Sequence, residues 1–438
     1  MRSLIAGALV ARAPRRSWRR AGVVGIVVVS VLAAACQSPA PGDPPSTTTS
    51  APIETPAASE ARLTIAPANR STKANPSKGI SVEVTGGTLT NVTAQADGQE
   101  VAGEQDAGGT SWHSRWALLT DTRYSVRATA VDAEGRSVTR RSSFTTLSPS
   151  STFRATIFEG AGKTYGVGMP IILTFSEPIT DTRAVERSLE IWTSEKVVGA
   201  WYWDGDQTLY FRPRDYWPAN TSVRFVGHLD GVEGAKGIFG VHTLTQHFQI
   251  GRSLIAVAGT RTHHLEVYLD GKLFADWPIS TGKAGDDTPN GTYLTMDKTN
   301  PEEMIGPGYD IFVPWSVRFT LSGDFIHDAY WSVNDQGFAN VSHGCVNLAP
   351  DHAETYYNLA LQGDPVTITG SPRPGRWGNG WTVWFLRWHE LLDGSATQQA
   401  VRAGPDGSSF VAPSVLHPSN AKAPLRTSHP GNANATAG

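Results

Sequence analysis

The chemistry in this chain gathers in one short segment, VSHGCVNL at 341–348, with a further histidine, His327, upstream in DFIHDAYW. A thiol becomes a useful nucleophile when a nearby base or positive charge favours the thiolate. Two histidines are candidates for that base, His327 and His343. His343 lies two residues from Cys345, and in an extended segment residues i and i+2 share a face, so the geometry admits it. Gly344 lets the backbone approach a substrate closely, and adjacent N–H groups can hold a developing oxyanion. Taken alone, these residues suit either a cysteine nucleophile or a buried cysteine beside a packing histidine. Metal chemistry has no comparable support. His263-His264 is the one adjacent histidine pair, and no acid or cysteine stands near it at ligand spacing. No metal or cofactor is expected.

Cysteine usage sharpens this. The 438-residue chain has 2 cysteines, Cys36 and Cys345, each in a motif of its own, and neither context looks like a disulfide staple. The chain is long enough for two to four domains. Its formal charge of -3 carries no block of like charge beyond the N-terminus, which argues against nucleic acid as a partner. Charged residues make up only 18%, whereas Gly, Pro, Ser and Thr are plentiful, a composition that suits strands and turns.

The N-terminus reads as an export signal. Arg2, Arg12, Arg15, Arg16, Arg19 and Arg20 precede the apolar stretch AGVVGIVVVSVLAAA at 21–35, which ends on small side chains. That stretch is shorter than the roughly 20 residues needed to span a bilayer. LAAAC at 32–36 resembles a bacterial lipobox, which implies lipidation of Cys36 and a membrane anchor; cleavage by ordinary signal peptidase is the alternative. The domain expected for 1–36 is therefore a signal peptide, and the location the outer face of the plasma membrane or the periplasm-like cell-wall space. Residues 37–61 are Pro, Ser, Thr and Ala with almost no large apolar side chain, and read as a disordered linker.

The remaining elements must position the thiol. From 62 to 148, Ile80, Val82 and Val84 alternate with polar residues, as do Tyr124, Val126, Ala128 and Ala130, with turns at Gly86-Gly87, Asp97-Gly98 and Glu134-Gly135. This spacing predicts a small β-sandwich. A second all-β unit is expected over 149–250, with strands at Ile171–Phe175 and Val223–Val226. Its run Trp201-Tyr202-Trp203 suits either cross-strand packing or a sugar-stacking surface, and packing is the expectation. The catalytic unit is placed at 251–370. It opens with strands at Leu254–Ala258 and His264–Leu269, and one helix is predicted over Pro350–Leu361, with Pro at its start and Gly363 just past its end. Ala353, Tyr356, Tyr357, Ala360 and Leu361 form its buried face. Trp381, Trp384 and Trp388, at helix-like spacing in 371–393, are expected to dock on the core. Residues 394–438 read as a disordered tail.

The wider pattern, His327, fourteen intervening residues and then Ser342-His343-Gly344-Cys345-Val346-Asn347, resembles the signature of the L,D-transpeptidases with a YkuD-type catalytic domain. STGK (280–283), TPNGTY (288–293) and GYDIFVPWSV (308–317) belong to the same resemblance. TYGVGMPIILTFSEPITD (164–181) and RPRDYWPANTSV (212–223) resemble the immunoglobulin-like domain that precedes that catalytic domain in mycobacterial members. The implied fold is mainly β: two immunoglobulin-like β-sandwiches followed by a β-rich YkuD domain with few helices. The resemblance implies Cys345 as nucleophile and His327 as general base, its imidazole oriented by the backbone carbonyl of Asp328. Ser342, His343 and Asn347 would shape the loop around the thiol, Tyr309 would place a hydroxyl near the oxyanion beside Gly344, and Trp331 would line the substrate channel.

The activity it implies is acyl transfer on peptidoglycan stem peptides. Cys345 would attack the carbonyl of the third stem residue, a diaminopimelate, and expel D-alanine. An acceptor amine from a neighbouring stem would then resolve the thioester as a 3→3 cross-link. Water in place of that amine gives a carboxypeptidase-type hydrolase, and a non-catalytic wall-binding lipoprotein is the reading from another class. Carbapenem β-lactams are the implied covalent inhibitors.

Overall fold

The computed structural model describes residues 58–306 and 309–412. Cys36, the signal peptide, nearly all of the linker and the end of the tail lie outside the described residues.

Alternation builds the first unit as its sequence suggests. Arg62–Ala66, Ser81–Thr85, Ser111–Ser114 and Gly103–Gln105 form one four-stranded sheet, and Gln99–Glu100, Thr88–Ala96, Arg123–Val131 and Ser137–Thr145 the other. Val82, Val84, Tyr124, Val126, Ala128 and Ala130 all point into the shared core with Phe144. The second unit has its own core, where Trp201 sits between Phe211 and Phe225 at centroid distances of 5.1 and 6.3 Å. Trp203 stacks on Phe175 at 5.4 Å and Tyr202 meets Trp377 edge-on at 5.5 Å. The Trp201–Trp203 run is thus consumed by packing.

One expectation for the tail is overturned. Residues 394–412 are ordered, and Ala400–Gly404 enters the second unit's sheet between Val197–Asp204 and Leu189–Thr193, with Gly407–Val411 folded back on it. Leu189–Thr193 and Val197–Asp204 are near neighbours in sequence, yet they part to admit this strand. The side chains of Ala400, Val401 and Ala403 fill the gap. A buried carboxylate clasps the incoming segment: Glu186 accepts from Trp203 Nε1 (2.9 Å), Ser395 Oγ (2.9 Å), and the backbone N–H groups of Ala396 (2.6 Å) and Thr397 (3.1 Å).

The preceding extension docks as expected but not as one helix. Val383–Phe385 is a 3-10 turn and the helix begins only at Trp388, running to Asp393. Trp384 packs on Tyr216 (4.4 Å) and under the Arg212 guanidinium (4.3 Å), and its Nε1 donates to the Gly168 carbonyl at 2.7 Å. Phe385 meets Tyr293 of the catalytic unit edge-on at 5.1 Å. The extension therefore ties both units together.

In the catalytic unit a five-stranded sheet runs Lys272–Pro278, His264–Leu269, Leu254–Gly259, Pro365–Thr369, Gly291–Leu294. A four-stranded sheet runs Asp297–Thr299, Ser316–Arg318, Phe325–Asp328, Val346–Leu348. Helix Pro350–Leu359 packs on the latter through Ala353 and Tyr356, while Tyr357 is half-buried against Trp315. It stops two residues before the predicted end because Ala360 turns to an extended conformation (ψ 132) and Lys298 Nζ takes the carbonyls of Tyr357 (2.6 Å) and Ala360 (2.9 Å). A cation at that end also complements the helix dipole. A further short helix, Thr182–Arg187, was not foreseen.

Backbone contact joins the second unit to the catalytic one. The N–H groups of Gly166 and Gly168 donate to the carbonyls of Gln362 (2.8 Å) and Gly363 (3.0 Å), and a Cβ at Gly166 would lie 2.3 Å from the Asp364 nitrogen. Close approach, rather than turn geometry, is why glycine stands there.

Removing the Glu186 carboxylate would leave several buried donors unpaired. Glu186→Ala is expected to lower stability by about 1–3 kcal/mol and to expose residues 394–412 to protease first, read by thermal melting and by mass analysis of limited digests. Unchanged melting and digestion would contradict the clasp.

Candidate active site

Parallel pairing of two short strands sets the site. Val346–Leu348 lies beside Phe325–Asp328 in the register Ile326↔Val346, His327↔Asn347, Asp328↔Leu348. Cys345 immediately precedes the first of these strands, so it arrives next to the strand that carries His327. Residues two apart share a face of a strand, which places Cys345 and Asn347 on one side.

His327 is buried, and its Nδ1 donates to the Asp328 carbonyl at 2.7 Å. Because a carbonyl can only accept, the proton of the neutral ring sits on Nδ1 and the lone pair on Nε2. Burial pushes the imidazole down to about 4, against the Asp328 hydrogen bond. Burial likewise pushes the Cys345 thiol up to about 12; a backbone hydrogen bond from Phe325 and the charge of Arg318 work in the opposite sense, while Asp324 adds to the rise. Desolvation disfavours the charged form of each group. With the imidazole lowered and the thiol raised, both rest neutral at neutral pH, and proton transfer must accompany attack.

The loop before Cys345 is held from both sides. Ser342 Oγ donates to the Cys345 carbonyl (2.6 Å) and accepts from the Gly344 N–H (3.2 Å). Ser342 N–H donates to the Thr281 carbonyl (3.0 Å), and Lys283 N–H to the Ser342 carbonyl (2.9 Å). Thr288 Oγ1 donates to the Gly344 carbonyl at 2.6 Å while accepting from Gly282 N–H at 3.0 Å. The STGK and TPNGTY segments thus brace the nucleophile, a role their spacing did not reveal. Asn347 is buried, and its Nδ2 donates to Ser332 Oγ at 2.9 Å. Gly344 has φ +129, and a Cβ there would lie 2.4 Å from Asp324 Oδ1, so conformation and contact both require glycine. Its N–H is spent on Ser342, so a role in holding an oxyanion requires that bond to break.

His343 sits outside, exposed. Lys283 Nζ lies 2.8 Å from its Nε2, and the Tyr309 ring packs at 5.1 Å. An ammonium group can only donate, so Nε2 accepts and its lone pair is occupied. That geometry separates the two histidines left open by the sequence: Nε2 of His343 is engaged, whereas Nε2 of His327 has its lone pair available.

Tyr309 stands on a two-stranded flap, Glu302–Gly306 with Tyr309–Val313. Burial raises its hydroxyl above the ordinary range, helped by the thiol and by Asp286 and Asp324. Trp331 is half-exposed with its ring 6.0 Å from that of His327. These residues share a cavity of about 370 Å³ with Met304, Ile311, Val341 and Asp335. The candidate site residues of the described chain are thus brought together, with Asp328 contributing its carbonyl behind the imidazole. His263 bonds Asn340 at 3.0 Å and His264 bonds Asp276 at 2.7 Å; among the described residues no group of three metal-binding side chains gathers. Lys283, Thr288, Ser332 and Asp324 were missed as site residues because nothing in their spacing ties them to the thiol.

A cysteine just ahead of one strand and a carbonyl-oriented histidine on its parallel neighbour, in a mixed β domain that follows two further β units, mark a cysteine-nucleophile site. Comparison with known proteins makes the assignment specific. Residues 253–368 match the L,D-transpeptidase catalytic domain (YkuD) family, and residues 71–233 match a bacterial Ig domain. L,D-transpeptidase 5 of Mycobacterium tuberculosis is 35% identical over 348 residues, covering 76% of this chain and 77% of that protein. L,D-transpeptidase 2 of the same species is 34% identical, covering 72% and 80%. The solved structure of the L,D-transpeptidase LdtMt1 in complex with imipenem is 34% identical and covers 50% of this chain and all of that one, with a TM-score of 0.43. The chain belongs to the L,D-transpeptidase family.

Two outcomes test this geometry. The acid limb of kcat/KM reports the base of the free enzyme; because a lowered pKa keeps His327 unprotonated at mildly acidic pH, that limb is expected near pH 4, and a limb near the ordinary histidine value would contradict the burial argument. Thr288→Val is expected to slow acylation by about tenfold, about 1.4 kcal/mol, alongside a stability loss of about 1–3 kcal/mol from the unpaired Gly282 N–H and Gly344 carbonyl; wild-type rates would mean that Gly344 needs no brace.

Proposed function

We propose that this L,D-transpeptidase forms 3→3 cross-links between peptidoglycan stems by way of a Cys345 thioester. The observation that carries the reading is the pairing of Phe325–Asp328 with Val346–Leu348 beside one cavity, in a chain of this family. As the Cys345 sulfur adds to the diaminopimelate carbonyl of a donor tetrapeptide, its proton passes to His327 Nε2. The Nδ1–H bond to Asp328 grows stronger as the ring becomes cationic. The tetrahedral oxyanion would be met by the Cys345 N–H and the Tyr309 hydroxyl. Collapse breaks the peptide bond to D-alanine, whose amine takes the proton back from Nε2. An acceptor amine then attacks the thioester and gives its proton to Nε2, and Cys345 leaves as the thiol.

The half-exposed apolar lining, Trp331, Ile311 and Val341 among it, favours an acceptor stem over bulk water by covering the thioester. Carbapenems, which present a strained acyl group and a carboxylate, are proposed to acylate the same sulfur. Export, and a lipid anchor at Cys36 on the outer face of the plasma membrane, complete the proposal. The Pro, Ser and Thr rich segment after Cys36 would let the enzyme reach stems in the wall.

With purified donor and acceptor stems, the expected products are free D-alanine and a cross-linked dimer, both lost in Cys345→Ala. His327→Gln is expected to lower the rate by about 10²–10⁴-fold. Trimmed tripeptide without dimer would replace the transferase by the hydrolase, and turnover by Cys345→Ala would refute the nucleophile.

A further inference from the structure

The Asp324 carboxylate is a buried charge that the reaction above does not use. It is 6% exposed and stands at the start of the His327 strand. Oδ2 accepts from Thr320 Oγ1 at 2.6 Å and from Ser322 Oγ at 2.9 Å, and the Asp324 N–H donates to Thr320 Oγ1 at 2.9 Å. Oδ1 lies against the nucleophile loop, at the position where a Cβ on Gly344 would clash. Arg318, the cation that acts on the thiol from the neighbouring strand, is held by Asp297 (3.4 Å) and Glu302 (3.0 Å) rather than by Asp324.

The support of this carboxylate does not end within the catalytic unit. Ser322 N–H donates to Asn379 Oδ1 at 2.9 Å, and Asn379 Nδ2 donates to Ser322 Oγ at 2.9 Å. Asn379, 6% exposed, belongs to the C-terminal extension. Hydrogen bonds thus run from the extension through Ser322 to Asp324, whose Oδ1 packs against Gly344, one residue from the sulfur.

We propose that Asp324 is a positioning residue for the Gly344-Cys345 loop, and that Asn379 completes its support, which makes the C-terminal extension part of the active site. The proposal rests on the reading of Cys345 as the acylated nucleophile. Asp324 does two separable things. Its bulk, fixed by Thr320 and Ser322, packs against the loop at Gly344, and its charge opposes ionisation of the thiol before substrate arrives. The charged and titratable groups facing the thiol are Asp324 and Arg318 from behind it, His327 beside it, and Asp335, His343 and Tyr309 from the cavity, with Asp286 acting on Tyr309. Losing the Asp324 charge stabilises a neighbouring thiolate, so the Cys345 pKa must fall.

Asp324→Asn keeps the shape and one oxygen acceptor but removes the charge. In the full chain, alkylation by iodoacetamide, which reads the thiolate, is expected to become about tenfold faster at each pH from neutral upward, a displacement of about one pH unit. Asn379→Ala is expected to lower the first-order rate constant of carbapenem acylation by about tenfold with the apparent affinity for the drug and melting almost unchanged, and Asn379→Asp, which keeps the acceptor for Ser322 N–H, to recover part of it. A pH profile of Asp324→Asn that superposes on wild type, or wild-type acylation by Asn379→Ala, overturns the proposal while leaving Cys345 as nucleophile. Should Asn379→Ala fail to fold, the Asp324→Asn profile decides. A wild-type protein that takes no acyl group at Cys345 sinks the functional reading instead.

Discussion

Everything chemical in this protein depends on three residue pairs in a parallel ladder, Ile326 to Val346, His327 to Asn347 and Asp328 to Leu348. A one-residue slip would turn the His327 side chain to the opposite face. The register is secured because the alternate residues, Ile326, Val346 and Leu348, are fully buried against helix Pro350–Leu359 and the second sheet. Burial of these apolar side chains therefore sets where the imidazole points. The segments that do not form the ladder, 280–283 and 288–293, work on its edge by fixing the loop that delivers the sulfur.

Burial also sets the electrostatics. Desolvation around His327 and the partly exposed Cys345 disfavours charge on both, so the resting enzyme stores no thiolate and imidazolium pair. Reactivity then depends on a substrate carbonyl arriving while Nε2 takes the proton, which confines the chemistry to acyl groups that the cavity holds in place. The second β unit and the C-terminal extension keep this arrangement rigid from outside. Gly166 and Gly168 lie against 362–364, Arg252 pairs with buried Asp364 at 2.7 Å, and Trp384 and Phe385 bridge the two cores.

Much of this was legible in the sequence, and the reasons are specific. Period-two patterning at Ile80–Val84 and Tyr124–Ala130 marks strands with one buried face. The nucleophile segment was legible through its resemblance to a family signature, His327 followed by Ser342 to Asn347; the residues alone left His327 and His343 both open as the base. The strand Ala400–Gly404 was hidden for an equally physical reason. Its small residues carry little apolar surface, and its pairing depends on a gap between two strands far away in the chain. The Pro405-Asp406 turn closing its hairpin was the one local signal. Asp324, Thr288 and Asn379 were silent because their partners are backbone groups and hydroxyls that only the folded chain assembles.

The central claim is that one sulfur, that of Cys345, carries the acyl group. Exposure of the purified protein to a carbapenem, followed by intact mass and peptide mapping, tests it most directly. The account predicts a single adduct of the drug's mass on the peptide containing Cys345, absent from Cys345→Ala. No adduct on the wild-type protein, or one on any other residue, would contradict it.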